Sequence, residues 1–523
     1  MGKLADFGWI PLLIRQGFLF WQFIFEYSNT TMSLPIFNYA KSHPNRIAIL
    51  QEDQSFTYGN LLNTAEVFAQ TLLQGNSDLA ERRVAFMVKP GFDYVRTQWG
   101  IWLAGGVVVP LCITYPLPSL QYVLEDTQAE IVVVPPEFEA ILGDYCREKG
   151  LRLFVLGNEG AGIKVALPEV ELSRRAMILY TSGTTNLPKG VVTTHRNIAA
   201  QIESLIEAWA YADTDHTLCI LPLHHVHGII NVVSCTLWAG GKVQFLPHFD
   251  AQKVLDVFLQ GDLNVFMAVP TIYFKLIEAV EAMPANAQEQ LKTRLQAFRL
   301  MISGSAALPV SVMEKWEGIS GHRLLERYGM TEIGMAISNP YAGERRAGYI
   351  GMPLPGVAVR LVDDQQQEID PGEVGEIQIK GDNVFVEYWQ RPEATAQSFT
   401  ADGWFMTGDT AVVEEGYYRI LGRTSMDIIK SGGYKLSALE IEEVLRTHPA
   451  IADCAVVGLP SEEWGETVAA ALVTKAEIDL KALNIWMRER MPAYRVPRQY
   501  LLVAELPRNA MGKVTKKDVK VLF

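Results

Sequence analysis

The run Tyr180-Thr-Ser-Gly-Thr-Thr-Asn-Leu-Pro-Lys189-Gly190 places hydroxyl donors, a glycine and a lysine where a phosphate could be held. The apolar residues just before it, Ala176 to Tyr180, predict a short buried strand, so the loop leaves a strand end with its N–H groups free to face an anion. Thr181, Ser182, Gly183, Thr184 and Thr185 supply donors, and Lys189 supplies a mobile positive charge. The order Pro-Lys-Gly differs from the Gly-Lys-Ser/Thr that opens a helix in a Walker loop. A polar turn uses the same residue types, so the case for a nucleoside triphosphate rests on further segments. Glu326-Arg-Tyr328-Gly329-Met-Thr331-Glu332 gathers an aromatic, a close-approach glycine, a hydroxyl and a carboxylate in one short turn. Thr331 and Glu332 suit a Mg²⁺ ion, which takes one or two carboxylates alongside phosphate oxygens. Gly403-Trp-Phe-Met-Thr407-Gly-Asp409 puts an acid after a tight turn, suited to ribose hydroxyls, with Arg423 as its helper. Near the end, Pro507-Arg-Asn-Ala-Met-Gly512-Lys513 offers a lysine able to swing toward a phosphate.

The elements that must position these groups are legible in outline. Between residues 32 and about 360, strand-like runs such as Arg83–Val88, Gly106–Leu111, Ala129–Val134 and Leu300–Ser303 alternate with helix-length amphipathic stretches. That rhythm predicts βαβ units and a mostly parallel sheet. From Val357 to Ile420 short strands and turns predict a β-rich subdomain, and after Gly422-Arg-Thr-Ser-Met-Asp427 a compact α+β unit follows. The expected class is therefore α/β, with a large N-terminal domain (32–422) and a small C-terminal domain (423–523). Residues 1–31 form an aromatic-rich extension, interrupted by Pro11, Arg15, Gln16 and Gln22, that reads as a packed or loose appendage or as an interfacial segment touching a membrane.

Composition narrows the function classes. At 523 residues the chain exceeds one ordinary core, and 49% hydrophobic with 20% charged residues describes a globular protein. A net charge of −13 argues against a nucleic-acid partner, so any anion site must be a local basic pocket. The five cysteines are odd in number and widely spaced, which predicts free thiols and a reducing, cytoplasmic setting.

Taken together and in this order, the motifs resemble those of the adenylate-forming superfamily of acyl-CoA synthetases, carrier-protein adenylation domains and firefly-type luciferases, over residues 32–523. The resemblance implies a two-step reaction: a carboxylate attacks the α-phosphate of ATP and releases pyrophosphate, and a thiol, usually that of coenzyme A, then attacks the acyl-adenylate. Thr181 to Lys189 would close on the β- and γ-phosphates. Gly304, Ser305, Ala306 and Tyr328 would border adenine, Thr331 and Glu332 would serve phosphate and Mg²⁺, and Asp409 with Arg423 would take the ribose. Lys513 would bridge the attacking carboxylate and the α-phosphate. The C-terminal domain of such enzymes rotates between the steps, and Gly432 and Gly433 would then line the thiol tunnel. Two departures stand out: Asn186 replaces a usual glycine, and the hinge carries one extra residue, leaving the pivot at Met426 or Asp427.

The acid is suggested by charge. Leu221-Pro-Leu-His-His225-Val-His227-Gly228 matches a superfamily motif that places His225 beside the acyl pocket, while a zinc site of His224, His225 and His227 has no further ligand nearby in sequence. The resemblance would set Arg327 at the border of the same pocket, where an unpaired guanidinium beneath a fatty chain would be costly and a second substrate carboxylate would satisfy it. Lys275 is expected to add a second positive charge. The segments around these residues resemble those of malonyl-CoA synthetases, which implies malonate, with methylmalonate next. The competing expectations are a pairing of Arg327 with Glu326 and a medium- or long-chain fatty acid, a carrier-protein thiol in place of coenzyme A, or a membrane-docked nucleotide-binding scaffold without catalysis.

Overall fold

The structure is a computed structural model that describes residues 34–158, 163–181, 188–424, 426–432, 434–508 and 514–523. The extension 1–31, the loop residues Ser182 to Leu187, Gly433 and Lys513 lie outside the described residues.

The apolar runs become the central strands of two large sheets. One has seven strands, in the order Glu387–Tyr388, Lys189–Thr194, Arg175–Thr181, Val107–Pro110, Arg83–Phe86, Ile131–Val134 and Arg152–Val155. Its pairings are parallel except at the end carrying the Lys189–Thr194 and Glu387–Tyr388 strands. Val107–Pro110 and Ile131–Val134 are buried at every residue, as strands covered on both faces must be. The other large sheet has nine strands, and its middle run places Gly334–Ser338, Leu325–Met330, Leu300–Ser303, Val265–Ala268 and His216–Cys219 side by side. Helices such as Phe92–Leu103 and His195–Trp209 pack into the core between and against these sheets. The second starts with a reciprocal cap in which the Thr194 hydroxyl accepts from the Asn197 amide and the Asn197 side chain accepts in return.

The β-rich region forms a four-stranded antiparallel sheet from Ala358–Val362, Val374–Lys380, Phe405–Glu414 and Tyr417–Arg423. Asp409, expected just after a tight turn, sits inside the long third strand. Gly408 (φ 71°) and an irregularity after Thr410 bend that strand and aim the carboxylate inward. The C-terminal unit has its own five-stranded sheet and core, with Ile441, Leu445, Val456, Val468, Ala470 and Leu472 buried together. Its last helix, Lys516–Val521, is fastened by buried Lys516, whose ammonium lies 2.6 Å from Asp427 and 2.7 Å from Glu442. Asp427 also accepts from the Arg423 amide at 2.9 Å, so one carboxylate ties the connecting segment to both units.

Candidate functional site

The phosphate-loop residues are presented by a hairpin. Strand Arg175–Thr181 pairs antiparallel with Lys189–Thr194, and Thr181 stands opposite Lys189, so the intervening residues must leave and return at one sheet end. The base of this hairpin is clamped. The Tyr180 hydroxyl donates to Asp126 at 2.6 Å, Arg391 pairs with the other oxygen of Asp126 at 2.6 Å, and the Tyr122 hydroxyl donates to the Pro188 carbonyl at 2.7 Å.

Lys189 is thereby held with its ammonium 4.8 Å from the centre of the Tyr388 ring. The Tyr388 hydroxyl donates to Glu332 at 2.8 Å, which brings the second predicted group to the first. Glu332 is buried in the turn between strands Leu325–Met330 and Gly334–Ser338, and burial raises its pKa against the opposing pull of Tyr388, Arg423 and Lys189. A carboxylate so placed gains from a cation, and Glu332 with neighbouring Thr331 has the oxygen donors that Mg²⁺ takes. Among the described residues no group of three His, Cys, Asp or Glu side chains could hold a metal ion, so the three histidines do not assemble a zinc site.

Tyr328 and Asp409 meet across two sheets: the phenol donates to the carboxylate at 2.6 Å. Arg423 stands opposite Asp409 in register and pairs with it at 3.1 Å. Gly329 is required by the hairpin itself, because a Cβ there would lie 2.1 Å from the Gly334 carbonyl oxygen. Gly432 has φ 56°, and a Cβ on it would meet the Trp464 ring at 2.8 Å.

The acid-binding candidates separate. Arg327 is 3% exposed, and its Nε and Nη2 have no hydrogen-bond partner among the described residues. Burial pulls its pKa down to about 9, still high enough to keep it charged at neutral pH. The expected alternative partner, Glu326, is the adjacent strand residue and so faces the other side. Glu326 instead accepts from the Leu308 amide at 2.9 Å, and burial lifts its pKa to about 8, so it is largely protonated at pH 7 and does not neutralise Arg327. The guanidinium packs on Gly304: a Cβ there would come within 2.6 Å of Arg327 Cζ and Nε. Gly304 therefore makes room for Arg327. Lys275 is exposed on helix Pro270–Glu281, its ammonium 5.8 Å from the Phe249 ring centre, and no described contact ties it to Arg327.

The residue that motif reasoning passed over is His227. Its ring is buried, its Nδ1 lies 3.1 Å from Ser305 Oγ, and its Nε2 has no partner among the described residues. Burial, with Arg327 and His225 adding repulsion, holds its pKa well below the ordinary histidine value. Neutral His227 can then accept the Ser305 hydroxyl proton at Nδ1 and present Nε2–H as a donor. His225 is only partly buried and stacks obliquely on His224, ring centres 4.2 Å apart. The sign that marked His227 was its place at the start of an apolar run: His227–Ser234 winds as a π-helix, a form frequent at functional sites. Ser305 itself adopts φ 68°, a left-handed backbone that few non-glycine residues hold without cause.

Comparisons with known proteins identify the family. The AMP-binding enzyme family matches residues 36–389, and the AMP-binding enzyme C-terminal domain matches residues 440–513. The human mitochondrial malonate–CoA ligase is 42% identical over 525 residues, 93% of this chain and 91% of that protein. An Arabidopsis thaliana malonate–CoA ligase is 39% identical, covering 97% and 92%. Among solved structures, ATP-bound MatB from Rhodopseudomonas palustris superposes with a TM-score of 0.84 at 33% identity, covering 94% of this chain and 99% of that one. The chain has the adenylate-forming fold, a large N-terminal α/β domain and a smaller C-terminal domain, and it belongs to the AMP-binding enzyme family as an acyl-CoA ligase.

Proposed function

We propose that this ligase joins malonate to coenzyme A, forming malonyl-adenylate and pyrophosphate from ATP and then malonyl-CoA and AMP, with methylmalonate as the next acid. The observation that carries the reading is the buried, charged and unpaired Arg327 guanidinium with His227 beside it. A dicarboxylate needs two anion sites, one for the reacting end and one for the distal end. Arg327 offers two N–H groups and His227 a third to the distal carboxylate, and charge-assisted bonds of this kind are the stronger class. A fatty chain would leave the guanidinium buried and unsatisfied.

The roles assigned to the remaining residues rest on the motifs and their placement. Lys189 and the loop before it take the β- and γ-phosphates, Tyr328 and Gly304 to Ala306 border adenine, and Asp409 with Arg423 takes the ribose hydroxyls. Glu332 and Thr331 would hold Mg²⁺, which supplies charge neutralisation along the triphosphate. Lys513 stabilises the charge that develops at the α-phosphate, a role worth about 3–4 kcal/mol of barrier in comparable sites. Gly432 and Gly433 line the path of the thiol. We place the domains at 32–422 and 423–523, with 1–31 as an extension of its own. The five cysteines, all buried and unpaired, suit a reducing compartment. The animal relatives are named mitochondrial, so cell fractionation decides between that compartment and the expected cytoplasm.

The test is product analysis. Malonate, ATP, Mg²⁺ and coenzyme A should yield malonyl-CoA, AMP and pyrophosphate in equal amounts. Transfer to a phosphopantetheinylated carrier protein in preference to coenzyme A would overturn the choice of acceptor.

A further inference from the structure

We propose that Glu443, on the C-terminal unit, is a positioning residue for the acid pocket in the N-terminal domain; the inference rests on the acid-binding reading of Arg327 and His227. The loop from Gly304 to Val310 carries three contacts that shape that pocket. Gly304 lies under the Arg327 guanidinium, Ser305 holds His227 through its hydroxyl, and Leu308 donates to Glu326. The loop then enters helix Val310–Ser320, whose cap residue is Pro309. Proline has no side-chain oxygen to satisfy the free amides of the first turn, and a helix start so left needs an acceptor from elsewhere. Glu443 supplies it: its Oε1 accepts from the Val310 amide at 3.1 Å, a carboxylate at the positive end of a helix.

The acceptor of this cap is firmly mounted. Glu443 sits on helix Ala438–Arg446, where Glu440 pairs with Arg419 and with Arg495 and Glu442 pairs with Lys516. The loop is thus fixed on one side by Glu326 of its own domain and on the other by Glu443 of its neighbour. Ser305, at φ 68°, is the kind of residue whose conformation persists only while its surroundings impose it. Loss of the Glu443 contact frees the loop, lets Ser305 relax, and loosens His227 and the floor under Arg327. Of the nucleotide groups, Lys189, Glu332 and Asp409 stand on other strands and turns and are untouched, so only the adenine border at Gly304 to Ala306 shares the change.

The experiment compares Glu443→Ala and Glu443→Gln with the unaltered full chain, using the small acid that the unaltered protein activates most efficiently. Glu443 is only partly buried, so both variants should fold, and thermal midpoints check that they do. Glu443→Ala should raise KM for the acid about fivefold to tenfold, the range of a lost helix cap, and KM for ATP by a clearly smaller factor, since the loop only borders the adenine. Glu443→Gln keeps an acceptor oxygen and should return the acid KM to within about twofold. Equal changes in both KM values, no change in either, or a Gln variant as impaired as Ala would overturn the proposal. Failure of the unaltered protein to use malonate would refute the malonate reading alone, since the comparison proceeds with whichever acid it does use.

Discussion

Replacing Arg327 with methionine separates function from stability in a way few pocket substitutions do. The guanidinium is buried, and it has two unpartnered N–H-bearing atoms with no neutralising carboxylate, because Glu326 is held protonated near pH 7. On the proposed function those atoms pair with the distal carboxylate of malonate, and truncating one side of a buried charge pair costs about 3–5 kcal/mol. That is roughly a 150- to 5,000-fold loss in kcat/KM for malonate. In the free protein the sign reverses. Burial draws the pKa of Arg327 from 12.5 to about 9, so keeping it charged below pH 9 opposes folding, and methionine of similar length removes that cost. Exchanges of buried charges for apolar groups are commonly neutral or stabilising by about 1–4 kcal/mol, which predicts a higher thermal midpoint for Arg327→Met. The assay is pyrophosphate release with malonate and with butyrate, a near match in size that lacks the second carboxylate. Malonate turnover should collapse while butyrate turnover holds or rises. In the unaltered protein, kcat/KM for malonate should fall as pH rises through about 9, where free Arg327 loses its proton. A variant that keeps malonate kcat/KM within threefold, or loses both acids together with a lower midpoint, would refute the reasoning.

Glu326→Gln should change how stability depends on pH. The folded pKa of Glu326, about 8, lies above its ordinary value of 4.5, so its contribution is full below pH 4.5 and is lost as pH rises to 8. The glutamine variant should lack that decline, and a melting series from pH 5 to 9 that keeps the same slope would contradict it. Asp126→Ala removes the acceptor shared by Tyr180 and Arg391 at the base of the phosphate hairpin. KM for ATP should rise about tenfold, the scale of a lost charge-assisted hydrogen bond, with KM for malonate nearly unchanged. Steady-state kinetics varying each substrate would show it.

How much of this was legible in the sequence follows from the kind of information each feature needs. The strand leading into the phosphate loop was visible because Ala176 to Leu179 are uniformly apolar, and they are buried in the sheet. Arg327 was visible because the motif resemblance sets it beside the acid pocket, where a buried charge needs an anionic partner. Its freedom from Glu326 was not, since that depends on Leu308 reaching Glu326 from eighteen residues away and on depth of burial. Lys275 was misplaced because the phase of a helix around its axis is set by tertiary packing, which turns Tyr273 inward and Lys275 outward. Asp409 was read as following a turn because Gly408 usually signals one, whereas here it bends a long strand. His227 was missed because two neighbouring histidines compete in the motif, and only the π-helical start decides which ring is buried.

On the proposed function, the pocket selects an acid with a second carboxylate. The most direct measurement is the ratio of kcat/KM for malonate to that for butyrate in pyrophosphate release by the unaltered protein. The expected ratio is at least about a hundred, from two or more charge-assisted hydrogen bonds that butyrate cannot make. A ratio near one, or octanoate outcompeting malonate, would contradict it.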